Sequence, residues 1–484
     1  MSNTVDSTAD KIYLITYHDE EAQTEVAKVD KPDQNINDVL EGAGCGFGTL
    51  LYTFGTFLFC CLQGSEVVML AIVGPVLKCD WQLDSFSLTV LQISTNFAMI
   101  FSTGLTSPLG DKFGRRPVAL IGAIGVTITG VLCAFTQAYW QFLTLRLVMG
   151  LFFGIGTPPA VVLSGEIPPK RYRALAMSGF SLAWGVGVSI SGAIAYFVME
   201  PYGWRGLVFS IPIAFSPCII FFGCIRDSPR YDYYSGNVDE AEQTIKQIYK
   251  LNGKGDVEIK LEYVNVPLSA HHFELYKTYK ILEKTDNLKN TIFIILLGMS
   301  AAFCYHLYAY SMPRLLNEGY CTDETIILTQ SCEFDKKTLL SIEMVNFAEP
   351  VGLIIILFLL EGIGRRKAFM GVAILTLLLP TATYFCVGRA YLLTFLLFLN
   401  ASVACITMAP SVLVNEYMPT IIRSCMMSFE AAAAWSGAIF AIMLAEYALN
   451  FSPRVALGVL QAAAFIPVCC LYMLRRETSG EDLT

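Results

Sequence analysis

Charge is scarce in this chain. Only 15% of its 484 residues are Asp, Glu, Lys or Arg, against 54% hydrophobic ones, and the mean hydropathy is +0.53. A soluble core could not hide that much apolar surface, so the composition predicts an integral membrane protein. Histidine is rarer still, with four in the whole chain, and no metal-ligand cluster, nucleotide-binding glycine loop or nucleophile elbow is present. Their lack argues against an enzyme, against a metal or other cofactor, and against ATP as the energy source. No basic n-region with a short apolar core opens the sequence, so the first span is expected to serve as the insertion signal.

What charge there is sits unevenly. Residues 1–41 hold ten acids and three lysines, nearly all of the chain's net charge of −8. An acidic, apolar-poor tail of this kind is expected to be disordered and to avoid nucleic acid and anionic lipid. Beyond it lie twelve apolar runs long enough to cross a bilayer, at 46–76, 86–109, 117–136, 139–165, 174–198, 206–225, 290–316, 338–360, 368–386, 390–415, 424–448 and 454–474. The expected organisation is an acidic tail (1–45), six spans (46–225), a polar central loop (226–289), six more spans (290–474) and a short tail (475–484). Short connections put twelve Lys and Arg residues on one side and seven on the other, which predicts cytoplasmic termini by the positive-inside rule. In the central loop, Asn237 is placed to cap a helix carrying Val238, Ala241, Ile245 and Ile248 on one face and stopping at Gly253.

Two patterns recur at a spacing of 250 residues. Gly114-Arg115-Arg116 returns as Gly364-Arg365-Arg366, and Glu166, Pro169, Arg173 and Ser178 return as Glu416, Pro419, Arg423 and Ser428. Each copy stands at the end of an apolar run, so the chain reads as a duplicated unit, and duplication within a membrane chain points to a transporter.

Most cysteines lie in or against spans, where cysteine is a small buried hydrophobe. Cys321 and Cys332 share the longest outward loop and form the candidate disulfide, with Cys79 the third outward candidate. The sequon at Asn450 lies against the membrane before a proline and is not expected to be glycosylated.

Gly110-Asp111-Lys112-Phe113-Gly114-Arg115-Arg116, Arg146 with Gly150, Gly154 and Gly156, Asp227-Ser228-Pro229-Arg230, and Glu477-Thr478-Ser479-Gly480 resemble the signature motifs of the major facilitator superfamily, the later ones in its sugar-porter and organic-ion branches. Lys78-Cys79-Asp80-Trp81 and Arg230-Tyr231-Asp232-Tyr233-Tyr234-Ser235-Gly236-Asn237 are similar to the synaptic vesicle 2-related group. The resemblance implies an all-α fold of 12 transmembrane helices in two pseudo-symmetric six-helix bundles, moving about a central site by rocker-switch alternating access. It also departs in places: Trp435 stands where the group carries a charge in span eleven, Gln63 aligns with the group's first-span aspartate, and Glu361 replaces the aspartate of the second signature loop.

A charge at bilayer depth costs roughly 2.5–3.5 kcal/mol on insertion scales and needs a partner or a watery cavity. Those kept are Glu66, Arg146, Glu343, Glu349 and Glu430, with His306 as a titratable neighbour. Glu349, beside Pro350, ranks above Glu343, which reads as near enough to the outer surface to be solvated. Four acids against one arginine favour cations or protons over anions, and Trp184, Trp435, Tyr305, Tyr308 and Tyr310 offer faces for an organic ammonium. Each of these has a plainer reading as packing or as a structural ion pair. Asp111, Arg115, Arg116, Glu166, Arg173, Glu361, Arg365, Glu416 and Arg423 are expected to form a cytoplasmic gate. The expected function is transport of a small organic solute, cation or neutral, with proton coupling through Glu66 or Glu349, by a monomer in a plasma or vesicle membrane. The alternative is a vesicle-membrane protein of the same fold that no longer transports and serves in binding or trafficking.

Overall fold

The computed structural model describes residues 36–255, 257, 259–261, 288–318, 335–383, 389–418, 420–451 and 453–474. The helices are α1 (Ile36–Ala43), α2 (Phe47–Asp80), α3 (Ser85–Phe113), α4 (Arg115–Cys133), α5 (Tyr139–Glu166), α6 (Lys170–Phe215), α7 (Pro217–Cys224), α8 (Pro229–Tyr234) and α9 (Val238–Leu251) in the first half. The second half holds α10 (Leu288–Glu318), α11 (Lys336–Asn346), α12 (Ala348–Gly362), α13 (Arg365–Thr383), α14 (Arg389–Tyr417), α15 (Thr420–Phe451) and α16 (Pro453–Met473).

Among the described residues, nine helical stretches are long and apolar enough to cross a membrane. One of them, 179–234, is two spans: Gly203 breaks α6 with φ 64°, a conformation open to glycine, so spans five and six meet there. α3 and α13 are long enough to add two further crossings, which is consistent with the twelve that the sequence predicts. The chain is an all-α, multi-pass membrane protein. Large apolar side chains such as Phe197, Phe358 and Trp140 remain exposed on its flanks, as a surface solvated by lipid requires.

Within the first bundle α2 packs along α6, and α3 and α4 pack on α5. Small residues set these distances: a Cβ on Gly64 would lie 2.4 Å from the Trp184 carbonyl oxygen, and one on Gly187 would lie 2.0 Å from that of Cys61. In the second bundle α10 packs on α14, α15 and α16, and α13 on α14. The bundles meet where α3 faces α15, where α6 faces α11 and α12, and where α2 touches α10.

The base of the acidic tail is ordered where the sequence suggested disorder. Residues 36–43 form α1, whose Ile36, Val39, Leu40 and Ala43 are buried, and α1 rests on α9. Tyr249 of α9 donates to the Val39 carbonyl at 2.8 Å, and burial raises its phenol above the ordinary range. The Asn252 side chain accepts from Gly48 N at 2.8 Å and donates to the Ala43 carbonyl at 3.0 Å, so it caps the start of α2. Asn237 precedes α9 as expected, but its side chain makes no cap hydrogen bond; Gly253, with φ 75°, supplies the stop.

Candidate solute site and gates

Two adjoining clefts lie between the bundles. The first is lined by Gln63, Glu66, Arg146, Trp184, Tyr310 and Trp435 from among the expected residues, and also by Gln92, Thr95, Asn96 and Met99. Arg146 Nη1 donates to Glu66 Oε2 at 2.5 Å, with both residues buried, at 2% and 3% exposure. The two side chains thus answer each other, and Arg146 Nε remains without a partner among the described residues. The second cleft is lined by Tyr305, Tyr308 and Glu349 with Asn346 and Asn400.

One hydrogen-bonded chain joins the clefts and the bundles. Trp184 Nε1 of α6 donates to the Tyr305 hydroxyl at 2.8 Å, and that hydroxyl donates to Glu349 at 3.2 Å. Glu349 is 1% exposed and makes no ion pair among the described residues. Trp184 lies 6.2 Å from Trp435 and 6.2 Å from Tyr305 between ring centroids, so aromatic faces surround the junction.

Two expected residues lie elsewhere. His306 is buried with Nδ1 at 2.9 Å from the Ala302 carbonyl, and it packs edge-on against Tyr305 and Trp435 without lining either cleft. Glu430 packs against α10 at Gly298, whose absent side chain leaves it room. The sequence reading passed over Gln92, Thr95, Asn96 and Met99. Their i, i+3, i+4, i+7 spacing puts a polar stripe on one face of α3, a signal that scanning for charge alone does not register.

At the end of the molecule that carries α1 and α9, several of the described gate residues have contacts inside their own bundle. Asp227 accepts from the backbone N–H groups of Arg115 and Arg116 at 3.1 Å each, Arg115 lies 3.9 Å from Glu166, and Arg230 donates to the Glu166 carbonyl. Arg116 donates to the carbonyls of Phe222 and Gly223 at the end of span six. Its repeat mate Arg366 donates to those of Leu471 and Tyr472 at the end of span twelve. Gly114 and Gly364, at φ 94° and 98°, match as well. A Cβ on Gly114 would meet Asp227 Oδ2 at 2.0 Å, so both its space and its conformation demand glycine. Arg365 is described and has a partner. The side chains of Asp111, Arg173, Glu361, Glu416 and Arg423 lie outside the described residues, as do Cys321 and Cys332.

Among the described residues, the ion pairs that cross between bundles lie at the opposite end. Glu446 of α15 accepts from Lys78 of α2 at 2.7 Å and from Arg314 of α10 at 2.7 Å, while Lys78 also donates to Ser85 at the start of α3. Glu200 of α6 pairs with Lys336 of α11 at 2.7 Å. Close by, the Ser87 hydroxyl and backbone N–H hold the Asp84 carboxyl below its usual range, and Asp84 caps α3.

A helical membrane protein whose two halves meet around a polar cleft has the architecture of a membrane transporter. The model of the Major Facilitator Superfamily matches residues 47–327, more than half of the chain, and the protein belongs to that family. It is 26% identical to the synaptic vesicle 2-related protein of Xenopus laevis over 93% of this chain and 82% of that one. To the putative transporter svop-1 of Caenorhabditis elegans it is 26% identical, over 93% and 86%. The organic cation/carnitine transporter 7 of Arabidopsis thaliana is 24% identical over 87% of this chain and 90% of its own. Among solved structures, the xylose transporter XylE from E. coli, in a partially occluded inward-open conformation, superposes with TM-score 0.68 at 17% identity, covering 90% of this chain and 99% of that one. The expected family and fold are thus borne out, and the chain is a transporter-family protein rather than an enzyme.

Proposed function

We propose that this protein moves a small organic solute through its membrane by alternating access, with a monocation the favoured class and a neutral polar solute next. The observation that carries this reading is Glu349. Burying an unpaired carboxylate is expensive, and Glu349 has a tyrosine hydroxyl but no basic partner among the described residues, whereas Glu66 is matched by Arg146. An ammonium entering between Trp184, Tyr305 and Trp435 would bring the missing charge and meet aromatic faces. A proton on Glu349 would do the same, so solute and proton compete for one carboxylate, and that competition is the coupling.

The end that carries α1 and α9 is the cytoplasmic one by its surplus of short-loop Lys and Arg. Glu446 then closes the outer end together with Lys78 and Arg314, and alternation consists of trading that closure for one at the cytoplasmic end, formed by Asp111, Arg173, Glu361, Glu416 and Arg423. The name of the plant relative, an organic cation/carnitine transporter, supports the cationic class. Proteoliposomes containing the purified protein should accumulate at least one organic cation from a broad panel, with Glu349→Gln abolishing uptake. Folded protein that moves no member of a panel of cations, neutral metabolites and anions would overturn transport and leave the binding or trafficking role.

A further inference from the structure

Span eight loosens at its middle, at Phe347 between α11 and α12, where the backbone stays helical (φ −63°, ψ −20°). Pro350 is the cause: it has no N–H to give the Asn346 carbonyl four residues back. Side chains from elsewhere serve the loosened turn. Ser189 of α6, in the other bundle, donates to the Asn346 carbonyl at 3.2 Å, and Asn400 of α14 donates to the Val345 carbonyl at 3.0 Å.

Two polar atoms beside the loosened turn have no partner among the described residues: Glu343 Oε2 and Asn346 Nδ2, both fully buried. They lie close together, because a Cβ on Gly192 of α6 would stand 2.0 Å from the first and 3.2 Å from the second. Asn346, itself 2% exposed, also lines the cleft that holds Glu349. Glu343, Asn346 and Glu349 thus run in order down one span toward the centre. The sequence ranks Glu343 below Glu349, as near enough to the outer surface to be solvated; in the structure one of its oxygens is turned into the seam between the bundles.

We propose that Glu343 is the outer proton acceptor of this transporter and passes its proton to Glu349 through a water held by Asn346. This rests on the proton-coupled reading given above. The water oxygen accepts from Asn346 Nδ2, which satisfies that orphan donor, and one water hydrogen is given to Glu343 Oε2 when the acid is ionised. In transfer, the carboxylic acid of Glu343 gives its proton to the water while the water gives one of its own to Glu349. Glu343 becomes a carboxylate, Glu349 becomes a neutral acid, and total charge is unchanged. Among the described residues, the groups that face this path are few. They are Tyr305 and Tyr308 from α10, and, two turns further out, the mutually satisfied Lys336 and Glu200 pair of α11 and α6. A proton fits better than a metal cation, because an amide N–H donor beside the path repels a cation but holds a water.

The test needs no transported solute. Purified protein in lipid nanodiscs is stepped between pH 5 and pH 9 while infrared difference spectra follow the carboxylic-acid carbonyl stretch. Glu343→Gln should remove one titrating band and slow protonation of the band assigned by Glu349→Gln at least tenfold. Asn346→Leu should keep both bands and show the same slowing, and Asn346→Ser, which leaves a hydroxyl and space for water, should restore the rate. An unchanged Glu349 rate in Glu343→Gln and Asn346→Leu would overturn the relay, and so would a response to sodium at fixed pH in place of a response to protons. If the bands behave as stated but no solute is carried in proteoliposomes, the transport reading fails and the relay stands.

Discussion

Arg146 and Glu66 illustrate how one residue depends on another in a medium without water. The ion pair is tolerated because each member cancels the other, and removing one leaves a bare charge in a dry interior. Arg146→Met should therefore lower stability by about 3 kcal/mol, seen as a clear fall in the melting temperature of the detergent-solubilised protein. Arg146→Met combined with Glu66→Gln should regain most of the loss; a double variant as unstable as the single one would show that the guanidinium matters for its packing. Gly114 is the second single-residue dependency. Gly114→Ala must push away the Asp227 carboxylate that holds the N–H groups of Arg115 and Arg116, and it adds strain at positive φ of order 1 kcal/mol or more. Reduced yield of folded protein, measured by size-exclusion chromatography, is the expected result.

Among elements, what matters is which ends are tied together. Glu446 binds one cation from each bundle, so Glu446→Gln should release α2 from α10 and α15 and let the end opposite α1 and α9 open. Distance measurements between probes on noncanonical amino acids at Trp140 and Tyr391, both exposed and one in each bundle, should show a new, longer population. A single unchanged distance would mean that helix packing alone keeps that end closed. At the other end, Asn252→Ala should uncap α2 and free α1, which limited proteolysis between residues 36 and 47 would detect as faster cleavage.

Much of this arrangement was legible beforehand, for a physical reason: a membrane punishes charge and rewards apolar length, so spans stand out, and so do isolated acids such as Glu66 and Glu349. The pairing of charges was not legible. Lys78, Arg314 and Glu446 belong to three spans far apart in sequence, and nothing local to any of them names the other two. Asn346 and Asn400 escaped because amides cost little in an apolar run. Pro350 was visible, but the hydroxyl that answers its missing N–H comes from Ser189 in the other half. The repeat was visible in the sequence, where only Arg116 of the pair was placed in the expected gate; the structure gives both Arg116 and its mate Arg366 carbonyls at the end of their own bundle's last span.

For the molecule as a whole, each of those arginines joins the third span of a bundle to the sixth, and the two halves do so in the same way. Each half therefore carries its own clasp and has no need of the other to close. A chain threaded into a membrane from its first residue could fasten the leading six helices while the trailing six are still being made. The second half would then meet a finished partner rather than a set of loose spans, and the central loop between them would act as a tether more than a hinge. Cutting that loop should be survivable: fragments 1–261 and 288–484, produced together, are expected to find each other and copurify.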